Sequence, residues 1–119
     1  MKILSLSTDS ELSLLRKRIL ETAGHDIVAL TTEKEVLEEA AEPKPVDVAL
    51  ICHRLPDATA RKAIRLLRDS RPQAKVVYVV HLYGEWPEVE ADRYVVGADG
   101  PDALMRVINE AVSQPSTKS

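Results

Sequence analysis

Two runs in this chain, VDVALIC (Val46–Cys52) and KVVYVV (Lys75–Val80), are apolar at nearly every position. A strand with one wet face alternates apolar and polar residues. A run without that alternation needs cover on both faces, which is what a parallel sheet receives from its flanking helices. These two runs therefore restrict the chain to folds with a sheet buried between helical layers.

The rest of the chain fits that frame. Lys2–Leu6 reads as a first strand, followed by N-cap chemistry at Thr8, Asp9 and Ser10. Glu11–Ala23 is helix-periodic, with Leu12, Leu15, Ile19 and Leu20 expected inward, and Gly24 is placed to end it. Asp26–Leu30 is a second strand. Glu33–Ala41 is an acidic helix with Val36, Leu37 and Ala40 inward, and Thr32 with Glu35 forms a capping-box pattern before Pro43 and Pro45. After the third strand, Val46–Cys52, Asp57 or Thr59 is expected to cap a helix over Ala60–Asp69. Lys75–Val80 is the fourth strand and Arg93–Val96 a short fifth. Pro101 suits the first turn of a last helix carrying Leu104, Val107, Ile108 and Ala111.

Strands alternating with helices pair in parallel through right-handed crossovers. The expected fold is a three-layer α/β/α sandwich, flavodoxin-like, with a five-stranded parallel sheet in the order 2-1-3-4-5. It is read as one domain over residues 1–113 with a polar tail over 114–119. The loops after strands 1, 3, 4 and 5 then gather at one edge, with Cys52 in the middle of it.

With 119 residues the chain suits one domain. It has no Phe, one Trp and three Tyr, so aliphatic residues must fill the core. A net charge of −3 gives no general attraction to nucleic acid or anionic membrane. A single Cys excludes an internal disulfide and a Cys-cluster metal site. No run is long enough to span a bilayer, and the first residues do not resemble a signal peptide. The expectation is a cytoplasmic protein with no cofactor, no nucleic-acid partner and no membrane partner.

The chain resembles the receiver (CheY-like) domain of two-component response regulators along nearly its whole length. KILSLSTDSELSLLRKRILETAGHDIVAL is similar to the family's opening without a gap. VDVALICHRLPD resembles its third strand and following loop, and DRYVVGADGPDALMRVINEAV its fifth strand and last helix. The resemblance implies phosphoryl transfer from a histidine kinase to an aspartate after strand 3. It also implies Mg²⁺ on an acidic pair after strand 1, a Ser or Thr after strand 4 and a Lys after strand 5. Carried over residue by residue, the acidic pair falls on Ser7 and Thr8, with Asp9 next to it, and the acceptor on Cys52. The hydroxyl falls on Val80, or on His81 if the register slips by one. The lysine falls on Gly97. Each of these is a departure from the pattern, so no Mg²⁺ is expected and the chain is read as a degenerate receiver, or pseudo-receiver. The span between strands 4 and 5 is also about two turns shorter than the family's, so its helix there is expected to be a stub or irregular.

Several features have both a functional and a plain reading. Cys52 with His81 could form a thiol–imidazole pair, but a free Cys at a strand end is commonly a small buried apolar residue. Asp9 and Asp57 fit caps and turns better than a cation site. Arg61, Arg65 and Arg68, with Lys62 and Arg71, read as a solvated basic helix face. Tyr83, Trp86 and Pro87 are the expected partner contacts. The expected function is that of a stand-alone degenerate receiver, not an enzyme. It would act by phosphorylation-independent contact with a signalling protein or with itself. A thiol-dependent enzyme or redox-sensitive module is the alternative, and a phosphorelay receiver modified by unusual chemistry a further one.

Overall fold

The structure, a computed structural model, describes residues 1–81 and 90–113. The elements run β1 (Lys2–Leu6), α1 (Ser10–Thr22), β2 (Asp26–Leu30), α2 (Glu33–Ala40), β3 (Val48–Cys52), α3 (Asp57–Ser70), β4 (Lys75–Val80), β5 (Arg93–Val96), a 3₁₀ turn at Gly97–Asp99, and α4 (Pro101–Ser113). All four strand pairings are parallel and the order is β2-β1-β3-β4-β5, the expected topology.

The alternation of side chains along a strand divides the interior in two. Val48 and Leu50 of β3, with Val77 and Val79 of β4, pack against Leu20 of α1 and Leu104, Ile108 and Ala111 of α4. Ala49, Ile51, Val76 and Tyr78 point the other way, onto Val36 of α2 and Ala63, Ile64 and Leu67 of α3. Every residue of β3 is buried, as its unbroken apolar run requires.

Local chemistry sets the element ends. Asp9 caps α1, its Oδ1 accepting the Leu12 N–H at 3.1 Å. Gly24 takes a φ of +94° just past the helix, a conformation that favours glycine. Thr32 caps α2, its Oγ1 accepting the Glu35 N–H at 3.2 Å, and the same hydroxyl donates to Glu35 Oε1 at 3.0 Å, so the Glu35 side chain returns to the Thr32 hydroxyl rather than to its backbone N–H. Among the described residues, no helix is long and apolar enough to cross a membrane.

Five expectations need correction. The third strand starts at Val48, not Val46, where pairing with Ile3 of β1 begins; Asp47 just before it donates its N–H to the Lys2 carbonyl at 2.9 Å and accepts the Lys2 N–H on its carboxylate at 2.8 Å. The second helix ends at Ala40, one residue before Ala41. The third helix starts at Asp57 rather than Ala60, with Pro56 at the cap position and no side-chain cap. Asp57 thus lies in the first turn, and the Thr59 hydroxyl donates to the Glu33 carboxylate instead of capping. The inward face of α1 is Ser13, Arg16 and Leu20. Leu15, expected inside, is 55 % exposed. Finally, Arg71 is no part of the basic face of α3; it is 5 % exposed and bonded to the end of α2. The residues 82–89, which hold Tyr83, Trp86 and Pro87 and where a stub or irregular helix is expected, lie outside the described residues, as does the tail 114–119.

Candidate functional site

The carboxyl ends of β1, β3, β4 and β5 meet at one edge of the sheet, where open α/β folds hold their ligands. Ser7 closes β1 and is fully buried; its Oγ accepts the Asp9 N–H at 3.0 Å. The Thr8 hydroxyl donates to the Arg54 carbonyl at 2.8 Å and so ties the β1–α1 loop to the β3–α3 loop. Asp9, already spent in part on the α1 cap, has its Oδ2 3.6 Å from Arg54 Nε. The hydroxyls and the carboxylate that stand at this edge are thus each engaged with neighbouring chain.

Cys52 ends β3 at 2 % exposure, a free thiol. Its sulfur accepts the Arg54 N–H at 3.5 Å and lies 3.8 Å from His53 Nδ1. The expectation that His81 would be the imidazole beside the thiol is therefore corrected. His53 falls on the opposite face only if the strand continues through it. The chain turns after Cys52, with Leu55 N–H bonded to the Cys52 carbonyl at 3.0 Å, and the turn brings His53 back to the sulfur. His81 follows β4 and stacks on His53 at a ring separation of 5.0 Å, one ring removed from Cys52.

Val80, at the hydroxyl position, is buried in the α2/α3 core. Gly97, at the lysine position, opens the 3₁₀ turn and is exposed. Beneath the same edge, Tyr78 is 3 % exposed, and its hydroxyl pKa is pushed up to about 12, first by burial and then by the negative charge of Asp57.

Between α1 and this edge lies an open cavity of about 630 Å³, lined by Asp9, Arg16, His53, Arg54, His81 and Gly97 among others. Of the seven sequence-derived pocket positions, Asp9, His81 and Gly97 line it; Ser7, Thr8, Cys52 and Val80 do not. It adds His53, brought in by the turn after Cys52, and two arginines, none of which sequence reasoning placed there. Arg16 enters because α1 is rotated from the leucine stripe; the i, i+3, i+7 line of Ser13, Arg16 and Leu20 was the available signal. Arg54 enters as the turn residue that bonds to Thr8, Asp9 and Cys52 at once. Among the described residues, no group of three or more His, Cys, Asp or Glu side chains is placed to hold a metal ion.

No protein-family model matches the sequence, and no curated protein matches it. Solved structures do. The receiver domain of a sensor histidine kinase from Pseudomonas aeruginosa, with a magnesium ion coordinated in its active site cleft, superposes with a TM-score of 0.81 at 13 % identity, covering 95 % of this chain and 98 % of that one. A CheY-like response regulator receiver protein from Methanospirillum hungatei gives 0.75 at 24 % identity, covering 93 % and 92 %. The chemotaxis protein CheY4 of Vibrio cholerae gives 0.77 at 17 %, covering 92 % and 97 %. Together with the strand order, these place the chain in the flavodoxin-like class: it has the fold of the response regulator receiver domains.

Proposed function

We propose that the chain is a degenerate receiver that works in signal transduction by contact with another protein, or with a second copy of itself, and takes up no phosphoryl group. One observation carries the reading: a buried cysteine stands where a receiver keeps its acceptor carboxylate, with Ser7 and Thr8 where the acidic pair belongs. Mg²⁺ requires hard oxygen ligands, usually one or two carboxylates with phosphate and water. Of the two carboxylates lining the cavity at this edge, Asp9 already serves Leu12 N–H and Arg54, and Glu11 comes from the first turn of α1; among the described residues they are not joined by a third ligand to hold a metal ion. Phosphoryl transfer depends almost wholly on metal and cation stabilisation of the equatorial oxygens. This donor set does not fit the metal, so no transfer step runs through it, and no enzymatic role is assigned.

Receivers are solved as parts of histidine kinases and as chemotaxis proteins, which supports a signalling protein as the partner class. The aromatic pair Tyr83 and Trp86, with Pro87, is the proposed contact. A Mg²⁺ titration followed by amide shifts tests the reading. The amides of Ser7, Thr8, Asp9 and Cys52 are expected to stay unmoved; saturable shifts at these four contradict it.

The contact between Cys52 sulfur and His53 Nδ1 favours a second reading, a thiol-dependent or redox-sensitive module. The two separate by alkylation. If the thiol is a packing group, native labelling is slow, labelling in denaturant is fast, and His53→Ala leaves the native rate unchanged. Fast native labelling that His53→Ala slows favours the thiol reading.

A further inference from the structure

Among the described residues two arginines are buried, and their surroundings differ. Arg71, 5 % exposed, donates to the carbonyls of Glu39, Ala40 and Lys44 and to the Glu39 carboxylate. Arg16, 7 % exposed, has no hydrogen bond or ion pair among the described residues, and it lines the cavity at the sheet edge. Burying an unpaired cation is unfavourable, and buried charges are normally paired. A guanidinium held at a cavity wall without an acceptor implies that the acceptor arrives in the cavity.

Gly97 is what admits it. A Cβ at position 97 would lie 3.7 Å from Arg16 Nη2 and 3.4 Å from both Val79 Cγ1 and the Val80 carbonyl. Any longer side chain there competes with the guanidinium for one space. Gly97 does not have a positive φ, so the glycine is not demanded by the backbone. The cation of this cleft thus comes from α1 rather than from the residue after β5. The other charged side chains that line the cavity are Asp9, Glu11 and Arg54. Arg54 is 60 % exposed and lies against Asp9, and Glu11 stands at the start of α1. His53 and His81, stacked at a ring separation of 5.0 Å, also line the cavity.

We propose that this cavity binds a small phosphomonoester-class anion without covalent chemistry, with Arg16 as its anchoring cation. A guanidinium matches two oxygens of a phosphate through paired N–H donors. A volume of about 630 Å³ exceeds what a bare phosphate fills, leaving room for an organic group. The inference goes beyond the signalling reading and does not depend on it: here the phosphate is bound, not transferred.

Amide and Arg Nε shifts, measured with inorganic phosphate, with glycerol 3-phosphate and with chloride at matched ionic strength, test it. Saturable shifts at Gly97 and Arg16 are expected with both phosphates and not with chloride. Tighter binding of glycerol 3-phosphate assigns the ester as ligand, and equal binding assigns the free anion. Arg16→Met, which keeps the apolar stem, is expected to weaken binding by about tenfold or more. Gly97→Leu, in which the new side chain displaces the guanidinium, is expected to do the same in a protein with an unaltered melting curve. Shifts no larger than those with chloride, or undiminished binding in both variants, overturn the proposal. A phosphate that remains attached after denaturation would contradict the signalling reading above, whereas one released on denaturation is the outcome proposed here.

Discussion

Arg71→Ala is expected to lower the unfolding free energy by about 3–5 kcal/mol, among the largest effects of any polar substitution in the chain. The last carbonyls of a helix have no partner within it and sit at its negative end. In α2 these include Glu39 and Ala40. Arg71 supplies N–H groups to both, at 2.7 and 3.3 Å, and to the Lys44 carbonyl, while its other Nη meets the Glu39 carboxylate at 2.9 Å. Ser70 reinforces the joint with a 2.7 Å bond to the Ala40 carbonyl. One planar fork thereby fastens the end of α2 to the corner between α3 and β4. Truncation removes the fork: the Glu39 carboxylate and the Lys44 carbonyl lose their donor, the carbonyls of Glu39 and Ala40 keep only the Glu42 N–H and the Ser70 hydroxyl, and a buried side chain's volume is left empty. Arg71→Lys is expected to recover only part of the loss, since a single ammonium cannot reach acceptors spread over three residues. Urea unfolding measures both variants. A loss below about 1 kcal/mol for the alanine variant would reduce this joint to an ordinary surface pair.

Leu50→Ala and Ile51→Ala are each expected to cost about 2–5 kcal/mol. The two are neighbours in β3, at 2 % and 0 % exposure. Leu50 faces α1 and α4, and Ile51 faces α2 and α3. In a sheet with one wet face, one of two adjacent residues points to water and its truncation is nearly silent. Here both leave cavities, one on each side of the sheet. Denaturant midpoints with unchanged slopes report the two losses separately. A near-neutral effect at either residue would mean that β3 is not covered on both faces.

The same residues explain how much could be read in advance. The unbroken runs of β3 and β4 admit few arrangements, so the parallel sheet and its order followed from them. The Thr32–Glu35 box and Gly24 act within a few residues of themselves and were equally legible. Helix α1 was not. Its leucines at 12, 14 and 15 spread around the cylinder, so no single stripe dominates, and tertiary space rather than pattern decides which side is buried. Part of the surroundings of that face comes from Gly97, whose position lies within 4 Å of the Arg16 guanidinium although it is more than eighty residues away along the chain. His53 escapes the strand pattern because the chain turns after Cys52, and strand alternation alone does not show that turn. Arg71 was read as solvated because a sequence does not show that the open end of α2 waits beside it. The resemblance alone puts Cys52, Ser7, Thr8 and Gly97 at the acceptor, acidic-pair and lysine positions; nothing in it points to Arg16 of α1.

The central claim is that a receiver scaffold stands here around a cleft that no longer accepts a phosphoryl group. Incubation with acetyl phosphate and Mg²⁺, followed by intact mass, tests it most directly. The account predicts one species at the mass of the unmodified chain, in the native sequence and also in Cys52→Asp, which restores an acceptor without restoring the metal site. An adduct of one phosphoryl group on the native chain, abolished by replacing a single aspartate, would contradict it.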